Sequence, residues 1–130
     1  MMYSQAFDLE STFNPTLTQE DRKTIKDNIY HYSQEIKKNP DNPYSYLNRG
    51  VQYANLGLYP DAITDYNTCL KIDSTIPEAY YNRGIAKARF RYTKAACIDV
   101  RKSAKLGLKI GKKTYNEKCG LFMRQLGKLD

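Results

Sequence analysis

Apolar side chains fall in four helical stripes along this chain. Ile25, Ile29, Tyr32 and Ile36 recur at offsets of 4, 7 and 11, which predicts a helix over Gln19 to Lys38. Thr18 stands as its cap, with Asp21 three residues on to close a capping box. Tyr46, Gly50, Tyr53 and Ala54 set a second stripe behind Asn42 and Pro43, a cap residue followed by proline at the opening helical position. Gly57 ends that helix, because glycine takes the left-handed closing conformation without penalty. Pro60 and Asp61 open the next helix, and Ala62, Tyr66, Cys69, Leu70 and Asp73 carry its face. Past Gly111, Tyr115, Cys119, Phe122 and Leu126 repeat the spacing and predict one amphipathic end-capping helix. Residues 1–17, with Phe7, Leu9 and Phe13, receive no assignment.

The middle of the chain repeats itself every 34 residues. That shift places Pro43, Tyr46, Asn48, Arg49, Gly50, Ala54, Ala62, Asp65 and Lys71 on Pro77, Tyr80, Asn82, Arg83, Gly84, Ala88, Ala96, Asp99 and Lys105. A half-register lies upstream, where Tyr32, Ile36 and Pro40 precede Tyr66, Leu70 and Ser74 by the same interval. Each unit reads as two antiparallel helices. Gly50, Gly84, Ala62 and Ala96 let backbones approach, while Tyr46, Tyr66 and Tyr80 supply bulk to the facing helix. One such hairpin cannot bury its apolar face alone, so the expected fold class is all-α, an α-solenoid of stacked hairpins. The predicted organisation is an unassigned segment 1–17, a long helix ending as a half-repeat over 18–42, full units over 43–76 and 77–110, and a capping helix over 111–130.

Within the units, Arg49 precedes Asp65 by 16 residues and Arg83 precedes Asp99 by 16. In an antiparallel hairpin this spacing brings guanidinium and carboxylate together, and it predicts a structural clamp.

Tyr46, Gly50, Tyr53, Ala62, Tyr66 and, with a small-residue swap, Cys69 follow an aromatic, glycine, aromatic, alanine, aromatic, alanine pattern. In this the sequence resembles the tetratricopeptide repeat family over residues 43–106, and more loosely over 28–127. The second unit, with Ala96-Cys97, Asp99, Lys102-Ser103-Ala104 and Leu106-Gly107, is similar to the closing repeat of many bacterial members. Four positions depart from the pattern. Ser74 replaces the closing proline that Pro40 supplies upstream. Arg91 and Lys87 replace the counterparts of Gly57 and Tyr53. Thr93 takes the place of Pro60 as the opening of the second helix.

The resemblance implies a non-catalytic protein-interaction module whose first helices line a groove for an extended or helical peptide. Carried onto this chain, the groove residues are Tyr44, Leu47, Asn48, Val51 and Asn55 from one unit, and Glu78, Tyr81, Asn82, Ile85 and Arg89 from the next. Tyrosines give contact area at low entropic cost, and asparagine amides can bind a peptide backbone. Chaperone-binding members grip a C-terminal carboxylate with cations. Here Glu78 and Asn82 stand where those cations belong, which disfavours such a clamp.

Charge adds a second picture. The net charge is +7 in 130 residues, yet residues 1–42 carry 5 basic and 7 acidic side chains, and 43–76 carry 2 and 3. Residues 77–130 carry 14 basic and 4 acidic ones, so the positive field sits at one end. Lys94, Arg101 and Lys105 share one helix face, and Lys109, Lys112 and Lys113 follow. This patch makes nucleic acid or another polyanion the alternative partner, with homo-oligomeric assembly a further one. Aromatic residues for base stacking are not interleaved with it.

Composition is that of an ordinary globular chain, 41% hydrophobic and 27% charged, with no apolar run long enough to cross a bilayer. Met1 to Glu10 lacks a secretory pattern, so a cytoplasmic location is expected. Three cysteines, Cys69, Cys97 and Cys119, show no Cys-x-x-Cys spacing and are read as reduced, packed thiols. His31 is the only histidine and sits among polar residues; Glu20 and Asp21 read as helix-start residues. With no phosphate-cradling glycine loop, nucleophile motif or metal-ligand cluster, neither catalysis nor a cofactor or metal is expected.

Overall fold

The computed structural model describes residues 16–89 and 93–129. The expectations placed on Phe7, Leu9, Phe13 and Arg91 lie outside the described residues. What is described is all-α, with no strand among those residues: α1 (Gln19–Lys38), α2 (Pro43–Asn55), α3 (Tyr59–Ile72), α4 (Pro77–Ala88), α5 (Lys94–Lys105), α6 (Lys109–Thr114), a π-helical turn (Tyr115–Cys119) and α7 (Gly120–Leu129). Consecutive helices pair as antiparallel hairpins of the α-solenoid class. The chain forms two compact units, one ending at Ile72 and the other starting at Asp73. No described helix is long and apolar enough to cross a membrane.

In the first unit α1 packs on α2 and α2 on α3. The capping box forms as its residues require: the Asp21 backbone N–H donates to Thr18 Oγ1 at 3.0 Å, and the Thr18 N–H donates to Asp21 Oδ2 at 2.9 Å. Asn42 Oδ1 accepts from the Tyr44 N–H at 3.0 Å and starts α2 directly behind Pro43. Gly57, at φ 81°, closes it, with the Leu58 N–H reaching back to the Tyr53 carbonyl. The core gathers Ile25, Leu47, Leu56, Ala62, Tyr66, Cys69 and Leu70. Burying a side chain such as Leu56, 1% exposed, contributes about 2 kcal/mol. Gly50 sits directly over Tyr66, where a Cβ would lie 2.6 Å from the ring, so the ring packs against the bare α2 backbone.

The second unit repeats this logic with smaller parts. Val100 occupies the place of Tyr66, and a Cβ on Gly84 would lie 2.9 Å from both Val100 Cγ2 and the Ala96 carbonyl oxygen. Thr93 caps α5 by accepting from the Ala96 N–H at 3.2 Å. Ala79, Ala86, Ala96, Cys97 and Val100 are buried. α6 then lies on α5, with Gly111 so close to Ser103 that any side chain there would collide with its hydroxyl.

The closing segment differs from the single regular helix the spacing predicts. Its middle five residues take the wider π-helical turn, in which the Gly120 N–H reaches the Tyr115 carbonyl five residues back. The turn coincides with a cross-link that the sequence reading assigned wrongly. Cys97 and Cys119 are disulfide-bonded, not reduced, with their Cα atoms 5.5 Å apart. Chain separation of 22 residues carries no sign of this, because α5 and the segment after it fold back on each other. Cys69 is buried outside that bond.

Candidate functional site

Arg49 Nε and Nη2 donate to the two oxygens of Asp65, both at 2.8 Å. Arg83 makes the same pair of bonds to Asp99, at 2.8 and 2.7 Å. Both carboxylates are 5% exposed. Hydrogen bonding to Asp65 and Asp99 holds the two guanidinium groups above their ordinary range, against the opposing effect of burial. The equivalence extends outward. The Tyr46 hydroxyl donates to the Pro40 carbonyl and the Tyr80 hydroxyl to the Ser74 carbonyl, each at 2.9 Å. Each guanidinium also lies over its tyrosine ring, at 6.0 and 5.6 Å. Ser74 therefore serves in place of proline without loss, since only its carbonyl is used.

Two details separate the units. Arg49 also donates to Ser33 Oγ on α1 at 3.1 Å and approaches the Tyr53 ring at 5.8 Å. In the second unit Lys87 replaces Tyr53, and its ammonium donates to Asp99 Oδ2 at 2.8 Å. The aromatic-to-lysine departure thus adds a cation to the clamp instead of weakening the packing.

The face expected to meet a peptide is distributed over α2 in one unit and α4 in the other. On α2, Tyr44 is 54% exposed, Asn48 and Asn55 are exposed, and Val51 is half-buried. Leu47 departs from expectation: at 7% exposed it belongs to the core of its unit and offers nothing to a partner. On α4, Glu78 is exposed and Tyr81, Asn82 and Ile85 are half-buried; Arg89, just past its end, is exposed. Tyr81, Ile85 and Arg89 meet around a cavity of about 230 Å³ that Ala88 completes. The Tyr81 hydroxyl lies 3.3 Å from Thr114 Oγ1, which ties α4 to the end of α6. A second cavity, about 250 Å³, is lined in the first unit by Leu17, Asp21, Thr24, Ile25 and Asn55.

Lys94, Arg101, Lys105, Lys109, Lys112 and Lys113 are all exposed, and none makes an ion pair among the described residues. His31 is exposed and meets Tyr32 edge-on at 5.2 Å. Among the described residues no group of three or more His, Cys, Asp or Glu side chains could hold a metal ion.

Two family models match, one described as a tetratricopeptide repeat over residues 31–64 and one as a TPR repeat over 52–89. Residues 31–89 belong to the tetratricopeptide-repeat family. Curated relatives share the repeats: Hsp70-Hsp90 organizing protein 3 of Arabidopsis thaliana is 33% identical over 69 residues, covering 46% of this chain and 12% of that protein. Hsp70-Hsp90 organizing protein 2 of the same plant is 37% identical over 46 residues, covering 35% and 8%. This chain therefore spans about a tenth of the length of the curated relatives it matches. The repeats mark the matched residues as a protein-interaction module.

Sequence reasoning missed three participants in the repeat scaffold. Lys87 was readable as a cation one helical turn after Arg83, on the same face of α4. Ala88 matched Ala54 by position, but its place in a cavity depends on what stands opposite. Thr114 carried no signal, because its contact with Tyr81 crosses 33 residues.

Proposed function

We propose that this tetratricopeptide-repeat chain binds a polypeptide segment through the exposed face of α4, without catalysis, and that α2 offers an equivalent face in its own unit. The observation that carries the reading is the α4 cavity, where Tyr81, Ile85 and Arg89 converge around about 230 Å³. That volume suits one apolar side chain of a ligand, with Asn82 and Arg89 beside it to take backbone or acidic groups. Tyr44 and Asn48 provide the corresponding aromatic and amide surface on α2.

The curated relatives are named for organising Hsp70 and Hsp90. An acidic chaperone tail suits this chain poorly, because the exposed carboxylate of Glu78 repels it and Lys87 is already engaged by Asp99. The partner is instead a segment with an apolar anchor. Selection from a random-peptide library on the purified chain, followed by titration of the winning peptide, tests this. Tyr81→Ala and Ile85→Ala should each weaken binding at least tenfold, while Lys94→Glu/Arg101→Glu/Lys105→Glu should leave it within about twofold. Equal binding by the α4 variants overturns the reading.

The six unpaired cations favour a second reading, polyanion binding by the α5–α6 face. It separates from the first by salt: phosphate-dominated affinity falls steeply between 50 and 200 mM, by about 10³-fold or more for six contacts, and apolar anchoring changes little.

A further inference from the structure

The bond between Cys97 and Cys119 encloses the most crowded charge in the molecule. Between the two sulfurs lie Arg101, Lys102, Lys105, Lys109, Lys112, Lys113 and Lys118, against only Asp99 and Glu117. Asp99 is already taken by Arg83 and Lys87. Like charges held this close push the segment off the hairpin. The segment itself is short and irregular. α6 has six residues, the next turn is π-helical, and α7 carries Leu121 at 62% exposed. Gly111 against Ser103 and the Tyr81–Thr114 contact attach it before the π-turn. At the end of that turn the buried Cys119 joins it covalently to α5. The repeat offers no precedent: Ile63, half-buried, stands where Cys97 stands in the next unit.

We propose that Cys97 and Cys119 form an oxidative modification site, closed by a disulfide-bearing oxidant, which fastens the basic closing segment to α5. In the closing reaction one cysteine thiolate attacks the oxidant's disulfide, giving a mixed disulfide and releasing one thiol. The second thiolate then displaces the other half. Two electrons pass to the oxidant, the two protons leave with its thiols, and one protein S–S bond remains. Both cysteines are 0% exposed in the closed state, so oxidant and reductant reach them only when the segment has lifted. Oxidation therefore traps the docked arrangement, and reduction follows local opening. The site is independent of the α4 binding reading, since neither sulfur lines that cavity.

The test uses the full chain, reduced and then equilibrated with glutathione disulfide. Alkylation after denaturation, read by peptide mass, should label Cys69 and leave Cys97 and Cys119 joined. Amide hydrogen exchange should then show residues 109–129 exchanging at least tenfold faster in the reduced protein, with 43–72 unchanged. Cys97→Ala/Cys119→Ala gives the same comparison without reductant; should that variant fail to fold, the reduced wild-type chain still decides. Three alkylated cysteines, a bond that includes Cys69, or equal exchange of 109–129 in both states overturns the proposal.

Discussion

Removing Asp99 should destabilise this protein more than removing Asp65, although the two occupy equivalent repeat positions. Asp65→Ala strands one guanidinium, that of Arg49, whose side chain is 22% exposed. The stranded group keeps the Ser33 hydroxyl and the faces of Tyr46 and Tyr53. Breaking a buried pair from one side costs about 3–5 kcal/mol, and the residual contacts with partial solvent access place this case near the lower end, about 3 kcal/mol. Asp99→Ala takes the shared carboxylate from two cations at once, Arg83 at 20% and Lys87 at 28% exposed, and although Arg83 keeps the face of Tyr80 the two are left repelling each other, so about 4 kcal/mol is expected. The difference, about 1 kcal/mol, is roughly a fivefold change in the unfolding equilibrium. Lys87→Met should cost under about 1 kcal/mol, since Asp99 keeps both Arg83 bonds. Urea denaturation followed by helical circular dichroism measures all three, with the slope checked for constancy. A loss below about 0.5 kcal/mol for Asp65→Ala, or a smaller loss for Asp99→Ala than for Asp65→Ala, would refute the clamp as described.

Gly50→Ala forces a methyl against the Tyr66 ring, which is 1% exposed and has no room to swing, so a net loss of about 2 kcal/mol is expected despite the better helix propensity of alanine. Gly127→Ala meets nothing within 4 Å and should instead stabilise α7 by up to about 1 kcal/mol; thermal denaturation compares the two. The Thr18 backbone N–H, then its hydroxyl, donates to Asp21 and holds that carboxyl below the usual aspartate range. Because the folded value is depressed, the capping contribution is complete above the unfolded value of about 4 and is lost as pH falls through the lower folded one. Carboxyl NMR should place the Asp21 midpoint below the ordinary aspartate value in the wild type and raise it only part of the way back in Thr18→Val, which removes the hydroxyl but keeps the backbone N–H; equal midpoints count against the hydroxyl's share in the box.

The helices of the repeats were legible because their signals are local. Thr18 with Asp21, Asn42 with Pro43, and Gly57 each act within one turn of chain, and all three behave as their chemistry dictates. The clamps were legible for another reason: a repeat displays the same pair twice, so Arg49 with Asp65 and Arg83 with Asp99 share one offset. What the sequence concealed lies where the repeat ends. Cys97 has an isoleucine as its counterpart, so its partner could not be found by shifting the chain by 34 residues. The spacing of Tyr115, Cys119, Phe122 and Leu126 fits a regular helix, and nothing in it marks the π-turn. Leu47 was misplaced because helical spacing gives a face without saying what covers it. Here α1 packs on α2, and the residue is core.

The claim that a polypeptide lodges on the first helices is tested most directly by chemical-shift mapping of a library-selected peptide on the isotopically labelled chain. The account predicts perturbations centred on Tyr81, Ile85, Ala88 and Arg89, with the amides of Lys94, Arg101 and Lys105 unmoved. Perturbations confined to α5 and α6 would contradict it.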